Sequence, residues 1–199
     1  RWGGPPGPLA SRFMSQNLRD YTKTLYTLDA VVKRVGEGQW DQQSPNDEWT
    51  ARETLGHVIW GLRRITAAIR GEGTPAEQPE AVVAGDTPAE TWSDAMDKMF
   101  AALDARGVLD KEIDTPFGTM TVDDAIGNLL MDPLTHAWDI AKTVGIDAAI
   151  PDELAERSLG VLNALGDAIR GPGLFDDAVD AEQDAPVVDR LVAFTGRKP

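Results

Sequence analysis

Asp132-Pro133-Leu134-Thr135-His136-Ala137-Trp138-Asp139 lies inside a longer apolar pattern, and its reading decides whether residues 121 to 144 form one helix or two. Residues four apart on an α-helix differ by about 40° of rotation and ~6 Å of rise, so Asp132 and His136 point the same way, and Asp139 falls near the same line. The inward positions are Val122, Ala125, Ile126, Leu129, Leu130, Leu134, Ala137, Ile140, Ala141 and Val144, with Thr121 or Asp123 as a cap and Gly145 as the stop. His136 lies roughly 90° from the centre of that face and Asp132 farther round, on a flank where a site between two helices would open. Pro133 argues against one unbroken helix, because it lacks an N–H and pushes against the carbonyl of Leu129. The alternative makes Asp132 an N-cap and Pro133 the first residue of a new helix. A kink could also turn the carboxylate toward a metal.

A divalent cation needs ligands from several directions, and the chain contains one other histidine, His57. It belongs to a helix announced by Thr50-Ala51-Arg52-Glu53, a capping box in which hydroxyl and carboxylate satisfy free amides at the helix start. That helix runs to about Arg70 on Leu55, Val58, Ile59, Leu62, Ile65 and Ile69, and Gly71 and Gly73 end it. His57 falls roughly 130° from the centre of the stripe, on the side of Gly61 and Ala68, small residues that would let a helix or ligand approach. A solvent-exposed histidine is the competing reading.

The remaining periodic segments are also helical. Met14, Leu18, Tyr21, Leu25, Leu28, Val32 and Val35 alternate spacings of four and three, as in a bundle seam. Residues 72–88 read as a long crossover or mobile loop. A third helix over about 89–106 buries Trp92, Met96, Met99 and Leu103, and Thr115-Pro116-Phe117-Gly118 is a turn. Pro151-Asp152-Glu153 opens a helix through Leu154, Leu159, Leu162, Leu165 and Ile169, ended by Gly171-Pro172-Gly173. A short helix then holds Val187, Val188, Leu191, Val192 and Phe194 against the body. Residues 1–13 read as a disordered leader and 14–199 as a single all-α domain.

Composition narrows the chemistry. With 199 residues, 42% of them hydrophobic, the chain can bury one full core. It has no cysteine, which excludes disulfides and thiolate ligands and leaves only nitrogen and oxygen for a metal. A net charge of −14, concentrated in residues 101–199, repels phosphate backbones and anionic lipid, so neither nucleic acid nor a membrane surface is expected as a partner. No apolar run reaches the ~18 residues of a membrane span, and a cytoplasmic location is the expectation.

Three separated motifs resemble one family. Glu48-Trp49-Thr50-Ala51-Arg52-Glu53-Thr54-Leu55-Gly56-His57-Val58 resembles the W-T-x-R-D-L-x-x-H start of the second helix in the DinB-like and mycothiol-dependent maleylpyruvate isomerase-like superfamily. Pro116-Phe117-Gly118, followed by Asp132 through Ala141, resembles its D-x-x-x-H-x-W-D-L-A helix, and Arg190-Leu191 through Gly196-Arg197-Lys198-Pro199 is similar to the tail of its actinobacterial branch. The resemblance implies a DinB-like four-helix bundle with an additional C-terminal helix and tail. It implies a divalent metal, often zinc or nickel, on His57, Asp132 and His136. Asp139 would orient a ligand or fix the helix. The carboxylate position is commonly Glu in the thiol-transferase members and is Asp here.

Three nitrogen and oxygen ligands leave a fourth position open, as in catalytic zinc sites. A low-molecular-weight thiol such as mycothiol entering it would be activated for S-transfer to, or isomerisation of, a small electrophile. Water there would make a hydrolase. The other class of reading is a bundle that binds metal or a small ligand without turnover. Arg52, Arg63 and Arg64 are either contacts for a polar cofactor or solvated surface arginines. The catalytic and cofactor-binding residues are unassigned at this level, and a homodimer is left open.

Overall fold

A computed structural model describes residues 14–115, 118–170, 175–182 and 184–199. The expected leader at 1–13, the turn residues Pro116 and Phe117, and the Gly171-Pro172-Gly173 stop lie outside the described residues.

Helix α1 (Gln16–Val32) starts where the Ser15 hydroxyl accepts from the Leu18 N–H, and it buries Tyr21, Leu25, Leu28 and Val32 from the expected stripe. Helix α2 (Ala51–Arg70) starts with the capping box intact: Thr50 Oγ1 accepts from the Glu53 N–H at 3.3 Å, and Glu53 Oε2 accepts from the Thr50 N–H at 2.8 Å. Gly71 ends it at φ 73°, a left-handed conformation that glycine adopts without steric cost. After a short α3 (Glu80–Ala84), α4 (Pro88–Leu103) buries Trp92, Met96, Met99 and Leu103. The Trp92 Nε1–H donates to the buried Asp29 Oδ1 at 3.3 Å, tying α4 to α1.

The linker expected between α4 and the next helix contains a hairpin. Strands β1 (Glu112–Thr115) and β2 (Gly118–Thr121) pair antiparallel, with Glu112 opposite Thr121 and Thr115 opposite Gly118. Four residues per strand are too few to print a period-two pattern. The crossover at 72–88 likewise contains α3, which packs on α2 and buries Val83 and Ala84.

Residues 121–144 form two helices, but not by either expected route. Helix α5 (Val122–Asn128) ends in a turn at Leu129 and Leu130, and α6 (Met131–Val144) begins with Leu130 in the N-cap place. Pro133 is therefore the third residue of α6. The first amides of a helix have no intrahelical acceptor, so its missing N–H sacrifices no bond there. Asp132 is not the cap; it stands in the first turn, where the helix dipole favours a carboxylate.

Helix α6 packs against both α1 and α2, and α2 against α4, which closes the four-helix bundle. Its other side serves a second apolar cluster. Met131 and Leu134 join Leu154 and Leu162 of α7 (Asp152–Leu165) with Val187 and Leu191 of α8 (Val187–Phe194). This double service buries His136, which amphipathicity alone had put on an open flank. Among the described residues, no helix is long and apolar enough to cross a membrane.

Candidate metal centre

His57 stands in the second turn of α2, and Asp132 and His136 lie one turn apart on α6. Asp132 Oδ1 sits between the two imidazoles, 3.3 Å from His57 Nε2 and 3.5 Å from His136 Nε2. One donor atom from each residue falls within 4.8 Å of the others, so the three could hold a metal ion. A tetrahedral ion with ~2.1 Å bonds spaces its ligand atoms by about 3.4 Å, which is the spacing of the two observed contacts. Two imidazole nitrogens and a carboxylate oxygen are a donor set that suits zinc and nickel. The site has a dry side and a wet side: the His136 side chain is 3% exposed, against 30% for His57 and 27% for Asp132.

Trp49, the residue before the α2 cap, forms a wall. Its ring lies 4.8 Å from that of His57 and 5.8 Å from that of His136, centroid to centroid. Behind His136, Nδ1 is 3.0 Å from Oδ2 of the fully buried Asp139. Arg197, in the segment after α8, grips the same carboxylate: its Nε donates to Oδ1 at 3.1 Å and its Nη2 to Oδ2 at 2.9 Å. The sequence motif pointed to Asp139. Nothing pointed to Arg197 except that a buried carboxylate needs a cation and the quoted tail contained one.

Of the arginines considered as cofactor contacts, Arg52 is engaged structurally, with Asp41 at 2.8 Å and with the carbonyl of Gly85. Arg64 stacks over Trp60 at 4.5 Å. Gly61 has open space around it, and the close approach anticipated there occurs instead at Gly56.

Burial works against the charges of this cluster, and pairing outweighs it. Asp132 would be raised by burial, yet its hydrogen bonds with His136 and His57 hold it far below the usual carboxylate range. Burial would lower His136, but Asp132 and Asp139 raise it to about 9. Asp139, also penalised by burial, is held low by His136 and Arg197. Burial, reinforced by the Asp132 charge, pushes the Tyr21 phenol upward and keeps it a neutral hydroxyl.

In metal-free protein, the His136 contribution to stability is full below the ordinary imidazole value and is lost as pH rises through about 9. The two aspartates contribute above the ordinary carboxylate value and fail as pH falls through their depressed values. The urea midpoint of chelator-treated protein is therefore expected to decline between pH 7 and 9. A midpoint that rises over that interval would contradict a protonated His136.

The crystal structure of the mycothiol-dependent maleylpyruvate isomerase has the same fold, with a TM-score of 0.58 at 19% identity, covering 75% of this chain and 67% of that one. A histidine-to-alanine mutant of that isomerase matches at 0.59 and 18% identity over the same shares. In sequence, the uncharacterised proteins Rv0738 and MT0763 of Mycobacterium tuberculosis are each 31% identical over 170 residues, 84% of this chain and 90% of theirs. A family model described as the DinB superfamily matches residues 20–140, a stretch that carries most of α1, all of α2, the three converging side chains and Asp139. The chain belongs to the DinB superfamily.

Proposed function

We propose that this protein is a divalent-metal-dependent enzyme that uses a low-molecular-weight thiol, such as mycothiol, for S-transfer to or isomerisation of a small electrophile. The observation that carries the reading is the convergence of His57, Asp132 and His136 through three nitrogen and oxygen atoms on a site with one solvent-facing side. His57, Asp132 and His136 would hold zinc or nickel. When bound, the ion lowers the pKa of a thiol entering its open position and yields a thiolate at neutral pH. Trp49 excludes water from one side of that position, and Asp139 keeps the His136 ring in place from the buried side. The absence of cysteine fits a thiol supplied from outside. The solved relative is itself named for dependence on mycothiol. A cytoplasmic setting, which keeps small thiols reduced, belongs to the same proposal.

The alternative is a metal- or ligand-binding bundle without turnover, in which the same three side chains hold the ion. The test begins with elemental analysis of untagged protein and of the His57→Ala and Asp132→Ala variants. Near-stoichiometric zinc or nickel is expected in the parent and is lost in both variants. Thiol-dependent consumption of electrophiles by the loaded parent then separates the enzyme from the binder. A parent that takes up no metal after reconstitution would end the catalytic reading.

A further inference from the structure

His136 is held by contacts that end 58 residues from Asp139 in sequence. A carboxylate accepts and never donates, so Asp139 Oδ2, 3.0 Å from His136 Nδ1, requires the hydrogen on Nδ1. When the ring gives up one proton to hold an ion, the nitrogen that offers the lone pair is then Nε2, the atom that faces Asp132. This selection is only as firm as the carboxylate that makes it. Arg197 takes both Asp139 oxygens in one planar fork, and its remaining nitrogen, Nη1, donates to the Thr195 carbonyl at 2.7 Å. Thr195 is itself tied to the end of α8, through its N–H to the Leu191 and Val192 carbonyls and its hydroxyl to Val192. The guanidinium is buried, with the Phe175 ring 5.8 Å away, so water does not compete for these bonds.

We propose that Arg197 is a positioning residue: through Asp139 it presets His136 to bind a divalent cation by Nε2, and so couples docking of the α8 segment to occupancy of the ion site. The inference rests on the reading of His57, Asp132 and His136 as ligands. Coupling between two binding events is reciprocal, so a bound ion should tighten residues 190–197 as much as that segment tightens the ion.

The test measures zinc affinity of untagged protein by competition with a chromophoric chelator, together with the visible absorption of the cobalt(II) form. Arg197→Gln is expected to weaken zinc binding about 10–100-fold and to change the cobalt spectrum, the usual scale for losing a group that orients a ligand. Arg197→Lys, which keeps the charge but not the fork, should recover part of the loss. Arg157→Gln removes a different arginine pair, with Asp20, and should lower thermal stability without moving zinc affinity or spectrum. In the parent, zinc should slow hydrogen exchange over residues 190–197. An Arg197→Gln protein with parental affinity and spectrum would overturn the proposal. So would a parent whose 190–197 exchange ignores zinc, a readout that stands even if the variant does not fold. A parent that binds neither ion would overturn the metal reading itself, and this inference with it.

Discussion

Asp139→Ala is expected to cost about 3–5 kcal/mol of stability in metal-free protein, the range for removing one partner of a buried ion pair. The side chain is fully buried and answers two donors at once, His136 Nδ1 at 3.0 Å and the Arg197 fork at 2.9 and 3.1 Å. Without it, a guanidinium that is 6% exposed keeps only its bond to the Thr195 carbonyl. The residual charge cannot reach water unless the segment after α8 lifts. Urea unfolding should show the loss, and hydrogen exchange should place the earliest opening at residues 190–197. A loss under about 1 kcal/mol, the scale of an exposed pair, would mean that this segment moves away cheaply and that Asp139 is not an anchor.

Gly56→Ala should be the most damaging conservative change on α2. A Cβ built there would lie 2.0 Å from the carbonyl oxygen of Glu80 and 2.6 Å from its carbon, both backbone atoms that no rotamer change can clear. Alanine gains about 1 kcal/mol over glycine in a helix interior, and so close a backbone clash puts overpacking at the upper end of its range of about 1–3 kcal/mol, so a net loss of roughly 2 kcal/mol is expected. The damage should begin locally. Helix α3 would be pushed off α2, uncovering Val83 and Ala84 and breaking the Arg52 bond to the Gly85 carbonyl. Proteolysis over 72–86 should rise before global stability falls. Gly61→Ala is the internal comparison, since nothing lies within 4 Å of its added Cβ, and it should be neutral or slightly stabilising. If both variants behave alike, the contact with Glu80 is not what holds the crossover.

Long elements with strong periodicity were legible in advance. The stripes of α1 and α2, the capping box at Thr50 and the core residues of α4 all form from local rules that operate over a dozen or more residues. The grouping of His57, Asp132 and His136 was legible too, because two of them share a helix face and the family motifs carry all three. The break at Leu129 and Leu130 was misread because apolar residues on both sides continue the pattern across it, and burial decides where the backbone turns. The hairpin and α3 are too short to carry a period. His136 was placed on a flank because the second apolar cluster, which covers α6 from behind, comes from residues 20 to 60 positions later. Arg197 belongs to the same class: a contact made across such a separation leaves no local pattern.

The position of α6 between two cores also sets an order of events during synthesis. Helices α1, α2 and α4 leave the ribosome first, yet the bundle they line has no fourth wall until residues 131–144 follow. Until then the faces of α1 and α2 that pack against α6 meet a vacant slot, an adhesive state for a nascent chain. Asp132 and His136 arrive with the helix that fills it, so apolar closure and assembly of the three-residue cluster are one step. Layer α7–α8 docks its apolar cluster on α6 and adds the Arg157 pair with Asp20 of α1, and Arg197 reaches Asp139 after α6 is in place. An ion held by this cluster would therefore be acquired only once the bundle has closed, with little opportunity to template its early folding.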